Sequence, residues 1–100
     1  MPLLSVIFKD GFSDDHAIVR VNGVKAFDRD NLRTRPERDR AAAFDIDVPP
    51  GLVTVEVDIP TRAQNLVHSL DVRARMSMLV RLVPGGGLRI ESIEGVVGDL

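Results

Sequence analysis

Two alternating runs of apolar and polar residues within residues 41–59 dominate the pattern of the chain. The apolar positions are Phe44, Ile46 and Val48 in the first run and Val53, Val55, Val57 and Ile59 in the second. Because successive side chains of a strand point to opposite faces, this period of two predicts two strands, each with one buried face. The break at Val48-Pro49-Pro50-Gly51 predicts a turn. We interpret the stretch as the central hairpin of a small β-sandwich.

The same period of two recurs along most of the chain. It predicts further strands at residues 3–9, 17–21, 24–27, 70–82 and 88–93. The long run at 70–82 is divided into two strands near residues 73–77, since strands average about 5–6 residues. Asn22-Gly23 predicts a two-residue type I′ turn, because both residues tolerate positive φ. Pro84-Gly85-Gly86-Gly87 predicts another connection.

Strand-like runs at intervals of roughly 8–12 residues, without a 3.6-residue apolar period, predict an all-β fold. We expect one domain over residues 1–100, an antiparallel β-sandwich of seven to eight strands with an immunoglobulin-like or transthyretin-like arrangement. A small β-barrel is the alternative. One hundred residues provide one sandwich core and leave no room for a second domain.

Residues 28–40 interrupt this pattern with a dense run of charges. Nine of these 13 residues are charged, and Leu32 is the only large apolar side chain among them. Such a segment cannot bury itself, so it predicts a long exposed loop. A short helix at residues 35–43 is an alternative, although Pro36 and the strand that follows leave it little length.

Composition narrows the classes of function. The formal net charge is -2 and the sequence pI about 5.6, so the overall charge does not attract nucleic acid or an anionic membrane. We therefore expect no nucleic-acid partner. Cysteine is absent, which excludes disulfides, thiolate metal sites and a thiol nucleophile. The apolar start of the chain is too short for a signal peptide or a membrane span, so we expect no membrane insertion and take a cytoplasmic location as the default.

One turn and one later stretch follow a known arrangement. The turn is Val21-Asn22-Gly23, and the later stretch is Val48-Pro49-Pro50-Gly51-Leu52-Val53-Thr54-Val55-Glu56-Val57. Together they resemble the pattern of PEGA-type and carboxypeptidase-regulatory-like sandwich modules, in which a VNG turn precedes a PPGxxTVEV hairpin. The resemblance covers the middle half of the chain. It implies a seven-stranded, non-catalytic module of the kind that serves as an accessory or surface domain.

The densest cluster of potential metal ligands lies in residues 10–15. Asp10, Asp14 and Asp15 offer the hard oxygen atoms that Ca²⁺ prefers. Their spacing does not match an EF-hand loop, and Asp, Ser and Gly are also typical of a plain turn between strands. A Ca²⁺-binding accessory module is therefore an alternative hypothesis, and we expect no other cofactor.

The remaining polar residues of chemical interest favour structural roles. His16 and His68 are the only histidines, whereas zinc usually needs three or four protein ligands. We interpret His16 as lying on an exposed face and His68 at a strand edge. Glu91 and Glu94 would face opposite sides and so form no catalytic carboxylate pair. We predict no catalytic residue, and a hydrolase is the least supported hypothesis.

The arginines of the charged run are stronger candidates for a binding site. Arginine offers a rigid fork of donors and is enriched at interface anchors, and loops on rigid β scaffolds commonly carry binding. The candidate partner-binding residues are Arg29, Arg33, Arg35, Arg38 and Arg40. Apolar residues at nominally exposed positions would mark a contact surface if the fold gathers them. These positions are Leu3, Ile7, Ile18, Leu52, Leu79 and Ile93.

Together these patterns favour a soluble, non-enzymatic β-sandwich module for protein interaction or assembly. Its contact would be an edge strand, an apolar patch on an outer face, or the Arg/Asp-rich loop. The expected partner is another protein or a second copy of the chain.

Overall fold

The computed structural model describes residues 1–95, which form eight strands and one short 3-10 turn at Pro60–Arg62. The strands are β1 (Leu3–Phe8), β2 (Asp15–Val21), β3 (Val24–Leu32), β4 (Ala42–Asp47), β5 (Gly51–Ile59), β6 (Gln64–Val72), β7 (Met76–Val83) and β8 (Gly87–Glu94). Sheet I has the order β4-β1-β7-β8 and sheet II the order β3-β2-β5-β6. The described residues contain no α-helix. The predicted all-β sandwich is confirmed, and these strands do not close into the alternative barrel.

All strand pairs are antiparallel except β1 with β7. In sheet I, Val6 of β1 lies opposite Phe44 of the antiparallel β4 and opposite Met78 of the parallel β7. A parallel pair needs a long crossover connection. Most of the chain between β1 and β7 supplies that connection by building sheet II.

The core is the layer between the inner faces of the two sheets. Its fully buried members include Leu4, Val6, Phe8, Ala17, Val19, Val53, Val55, Val57, Ile59, Val72, Met78 and Val80. They follow the period of two that the sequence shows. Burial of one such aliphatic side chain stabilises the folded state by about 1.5–3 kcal/mol, so packing holds the sandwich together without disulfides.

The predicted central hairpin of residues 41–59 is wrong. β4 pairs with β1 in sheet I, whereas β5 pairs with β2 and β6 in sheet II. The connection of residues 48–50 therefore crosses between the sheets, and residues 73–75 between β6 and β7 do the same. Alternation predicted the strands and their buried faces. It did not predict their partners, because a period of two separates the inner from the outer face and nothing more.

The hairpin of β2 and β3 is confirmed at its turn but is longer than predicted. Val21 lies opposite Val24, and φ is 50° at Asn22 and 83° at Gly23, as a type I′ turn requires. β3 continues to Leu32 instead of ending at residue 27, so the first five residues of the predicted charged loop are strand. Because β3 is an edge strand, its charged side chains stay in water while its backbone bonds to β2.

Candidate functional site: an arginine-lined pocket

The chain after β3 folds back onto the sandwich through Thr34. Its N–H donates to the carbonyl of Phe12 (3.0 Å), and its hydroxyl donates to the carbonyl of Lys9 (2.7 Å). The hydroxyl oxygen also accepts the N–H of Phe12 (3.1 Å). Phe12 is buried and meets Phe8 edge to face. Thr34 therefore fixes the start of the arginine-rich segment to the loop between β1 and β2.

Residues 35–40 form a tight turn rather than an open loop or the alternative short helix. The N–H of Arg35 donates to the carbonyl of Arg40 (3.2 Å). The carbonyl of Arg35 accepts the N–H groups of Arg38 (3.0 Å) and Asp39 (2.8 Å). The backbone that carries three of the candidate arginines is thus held by hydrogen bonds across the turn.

A pocket of about 300 Å³ lies where this turn meets the edges of the two sheets. Its arginines are the five candidate partner-binding residues, Arg29, Arg33, Arg35, Arg38 and Arg40. Asn31, Leu32 and the three alanines of residues 41–43 complete the lining. Of these alanines, Ala42 is buried in the core, Ala41 packs against the core and Ala43 is exposed. We call this site the arginine pocket.

Two contacts hold the elements around the arginine pocket together. The ring of Phe27 on β3 stacks on that of Phe44 on β4, with ring centroids 4.7 Å apart and planes inclined by 10°. The N–H of Ala41 donates to the carbonyl of Phe8 on β1 (2.7 Å). The pocket is therefore bounded by elements that are packed or hydrogen-bonded to the core.

The charge of the arginine pocket is only partly balanced by acidic residues. None of its lining residues is acidic, although residues 28–40 contain four Asp or Glu. Asp28 pairs with Lys25 (3.1 Å) and His16 (2.6 Å), and Asp39 pairs with Lys9 (3.2 Å). Asp28 and Asp39 lie near the arginines in the chain, but their side chains pair with basic residues outside the pocket.

Four of the five pocket arginines form no ion pair within residues 1–95. Arg33 pairs with Asp14 (3.0 Å), and both side chains are mostly exposed. A cleft lined by charges of one sign raises the local concentration of counter-ions. The guanidinium fork matches the geometry of carboxylate and phosphate oxygens. The arrangement is therefore suited to binding an anion.

His16 lies beside a bulge in β3 and contacts two carboxylates. Asp30 and Asn31 of β3 together oppose His16, and Asn31 has a φ of 57°. The ring Nε2 is 2.6 Å from Oδ1 of Asp28, and Nδ1 is 3.6 Å from Oδ1 of Asp30. The hydrogen bond with Asp28 raises the pKa of His16 above its ordinary value, and the same bond lowers the pKa of Asp28.

The structure does not gather the carboxylates of residues 10–15. Each pairs with a different arginine: Asp10 with Arg81 (2.9 Å), Asp14 with Arg33 (3.0 Å) and Asp15 with Arg62 (2.7 Å). Residues 1–95 contain no group of three or more His, Asp or Glu side chains placed to hold a metal ion. The geometry therefore does not favour the Ca²⁺ hypothesis for Asp10, Asp14 and Asp15.

Asp15 instead forms a buried junction between β2 and the 3-10 turn. It is 1% exposed, and its carboxylate accepts hydrogen bonds from the N–H of Ser13 (2.8 Å), the hydroxyl of Thr61 (2.7 Å) and the guanidinium of Arg62 (2.7 and 3.1 Å). Burial alone would raise the pKa of Asp15, but these hydrogen bonds, that of Arg62 foremost, lower it below its ordinary value.

The other polar candidates lie away from the arginine pocket. His68, on the edge strand β6, hydrogen-bonds with Ser92 on β8 (2.8 Å) and so links the two sheets at the opposite edge. Glu91 pairs with Arg81 (3.0 Å), while Glu94 is exposed near the end of β8. These contacts are structural.

The six apolar outer positions do not form one exposed patch. Ile7 and Leu79 lie opposite each other on β1 and β7 and are buried, at 5% and 4% exposure. Leu52 is 75% exposed, but it belongs to sheet II. By strand, Leu3, Ile7, Leu79 and Ile93 belong to sheet I, and Ile18 and Leu52 to sheet II. An apolar contact surface built from all six is therefore ruled out.

Sequence interpretation missed the three alanines that complete the lining of the arginine pocket. Ala41, Ala42 and Ala43 directly follow Arg40 in the chain. Their position next to the arginines in the sequence is a signal that could have placed them at the same site. It also missed the anchoring role of Thr34, for which the sequence offers no comparable signal.

Comparison with protein-family models, with curated proteins and with solved structures gives no match for this chain. No helix within residues 1–95 is long and apolar enough to cross a membrane. A proposal of function therefore depends on the arginine pocket and its surroundings.

Proposed function

We propose that this protein is a non-enzymatic interaction module that docks an acidic segment of a protein partner in its arginine pocket. One observation carries the proposal: five arginines line a single pocket without a lining carboxylate, and four of them have no ion pair within residues 1–95. The backbone beneath them is already ordered by hydrogen bonds. Binding therefore costs the ordering of side chains but little ordering of the loop.

The lining favours an acidic protein segment over nucleic acid. Complementary charge steers association and suppresses wrong partners. Binding of single-stranded nucleic acid typically adds aromatic side chains on which bases stack. The lining residues of the arginine pocket include no aromatic side chain.

The edge strands supply a second element of the proposed contact. β3 and β4 are the edge strands beside the arginine pocket, and each has one side without a neighbour among the described strands. An extended peptide can add to such an edge through its backbone while one of its side chains enters a neighbouring pocket.

We also infer an immunoglobulin-like or transthyretin-like arrangement of the strands, which two packed four-stranded sheets support. The resemblance to PEGA-type and carboxypeptidase-regulatory-like modules stays a prediction, and it agrees with a non-catalytic role.

The test compares the native partners of three forms of the full chain. These are the wild type, the pocket variant Arg35→Gln/Arg38→Gln and the control Arg75→Gln/Arg89→Gln. Arg75 and Arg89 are exposed and form no ion pair within residues 1–95, so the control removes the same charge elsewhere. We expect the wild type and the control to recover the same partners from the protein's own cells. The pocket variant should not recover them.

Recovery of the same partners by all three forms would contradict the proposal. Light scattering after gel filtration tests the other partner, a second copy of the chain. A dimer that the pocket variant dissociates, and the control does not, would assign the acidic segment to the chain itself.

A further inference from the structure

We propose that the acidic group received by the arginine pocket is a phosphoryl group carried by a side chain of the partner. This inference rests on the proposed function and specifies the ligand of the same site. It concerns one compact group with several oxygen atoms and more than one negative charge, in place of a row of carboxylates.

The number of unpaired cations supports a group of higher charge. Arg29, Arg35, Arg38 and Arg40 have no ion pair within residues 1–95, and Arg33 has only the exposed Asp14. A carboxylate brings one charge and two oxygens. A phosphorylated side chain brings a charge of about -1.5 to -2 at neutral pH and three strong acceptor oxygens. One phosphoryl group can thus accept hydrogen bonds from several guanidinium forks at once.

The size of the arginine pocket supports a single compact group. Its volume of about 300 Å³ is at the lower end of the roughly 300–1,000 Å³ typical of ligand sites. In an extended peptide, neighbouring side chains point to opposite faces, so a run of Asp or Glu cannot place all its carboxylates in one pocket. A single phosphorylated side chain delivers its whole charge at one point.

The placement of the arginines supports binding from several sides. Arg29 lies on β3 and Arg33 directly follows that strand, whereas the other three arginines lie on the tight turn. Asn31 adds a side-chain amide to the lining. The two groups of donors come from separate elements that Thr34 connects to the body of the protein. Donors that surround a tetrahedral oxyanion match it better than they match a planar carboxylate.

The test titrates the full chain with matched probes and follows its NMR resonances. The probes are a short Gly/Ala peptide with one central phosphoserine, the same peptide with Glu or with Ser at that position, and inorganic phosphate. We expect the phosphoserine peptide to bind roughly ten-fold more tightly than the Glu peptide, which corresponds to about one additional charge-assisted hydrogen bond. The resonances that shift on binding should belong to residues 29–43. The pocket variant Arg35→Gln/Arg38→Gln should abolish these shifts, and the control Arg75→Gln/Arg89→Gln should not.

The pH dependence adds an independent readout. The second pKa of a phosphoryl group is about 6, so the affinity for the phosphoserine peptide should rise as the pH passes upward through that value. The Glu carboxylate is already ionised there. The Glu peptide therefore reports any contribution from titration of the protein itself, including that of His16.

The outcomes distinguish a failure of the phosphoryl preference from a failure of the proposed function. Equal affinity for the Glu and phosphoserine peptides would overturn the phosphoryl preference and leave docking of an acidic segment intact. Binding of inorganic phosphate with neither charged peptide above the Ser peptide would assign the pocket to a free anion and overturn both proposals. No binding by any probe would overturn the phosphoryl inference, and the partner experiment with the same variants would then decide the proposed function alone.

Discussion

The acidic loop of residues 10–15 and the arginine pocket are both rich in charge, but they differ in how that charge is matched. Asp10, Asp14 and Asp15 each meet an arginine. In the pocket, four arginines meet no carboxylate within residues 1–95, although acidic residues lie between them in the chain. The first region uses its charges to connect elements of the fold. The second leaves four of its charges without an ion partner among the described residues.

Burial explains why Asp15 needs partners, whereas the ion pairs of Asp10 and Asp14 are exposed. Asp15 is inside the protein, where an ionised carboxylate must be hydrogen-bonded or it strongly destabilises the fold. Of the four arginines that form no ion pair within residues 1–95, Arg29, Arg35 and Arg38 are exposed and Arg40 is half-buried, so water can solvate their charges.

Replacing Asp15 should have the largest effect on stability. Asp15→Ala leaves the N–H of Ser13 and the hydroxyl of Thr61 without their acceptor, and we expect a loss of about 2–4 kcal/mol in the free energy of unfolding. Urea denaturation measures it. Asp10→Ala is the matched control, because it removes an exposed ion pair with Arg81 worth about 0.5 kcal/mol. Equal losses would mean that burial does not distinguish the two carboxylates.

Acid should reduce the difference in unfolding free energy between the wild type and Asp15→Asn. The pKa of Asp15 is lowered in the folded protein, so its stabilising contribution is present above the unfolded pKa of about 3.9 and is lost as the pH falls through the lower folded value. We expect the difference in unfolding free energy to shrink on acidification. A difference that stays constant from neutral to strongly acidic pH would argue against the buried ion pair.

Alkaline pH should weaken the contact between His16 and Asp28. The pKa of His16 is raised in the folded protein. The contribution of the contact to stability is therefore fully present below the unfolded pKa of about 6.5 and is lost as the pH rises through the higher folded value. NMR titration of the ring should give a midpoint above that of a model histidine, and Asp28→Asn should lower it. An unchanged midpoint in Asp28→Asn would show that Asp28 is not the cause.

Removing charge from the arginine pocket should have the smallest effect on the stability of the fold. We expect Arg35→Gln/Arg38→Gln to change the free energy of unfolding by no more than about 0.5 kcal/mol, since exposed side chains without partners contribute little. Arg62→Gln, which removes the partner of Asp15, should lower Tm clearly in the same thermal scan. A pocket variant as destabilised as Arg62→Gln would make the pocket arginines structural and erase the contrast between the two regions.

Local sequence signals predicted much of the fold. Alternation located most strands and their buried faces, and Asn22-Gly23 located a turn with both φ values positive. The end of β3 was mispredicted because an edge strand tolerates charge on both faces. The five arginines were predicted as a group, but a run of charges does not reveal that Asp28, Asp30 and Asp39 turn toward Lys9, His16 and Lys25.

By itself, the sequence determined which face of most strands points into the core, because the two-residue period of a strand is a local property of the backbone. It did not determine the burial of Ile7 and Leu79, which lie at outer positions of sheet I. Only the tertiary structure decided which strands are neighbours and which charges meet. Asp15 and Arg62 are 47 residues apart, and β4 and β5 are adjacent in the chain yet lie in different sheets. Strand pairing and ion pairing depend on distances across the folded molecule, and the arginine pocket exists because β3, β4 and the turn between them meet at one edge of the sandwich.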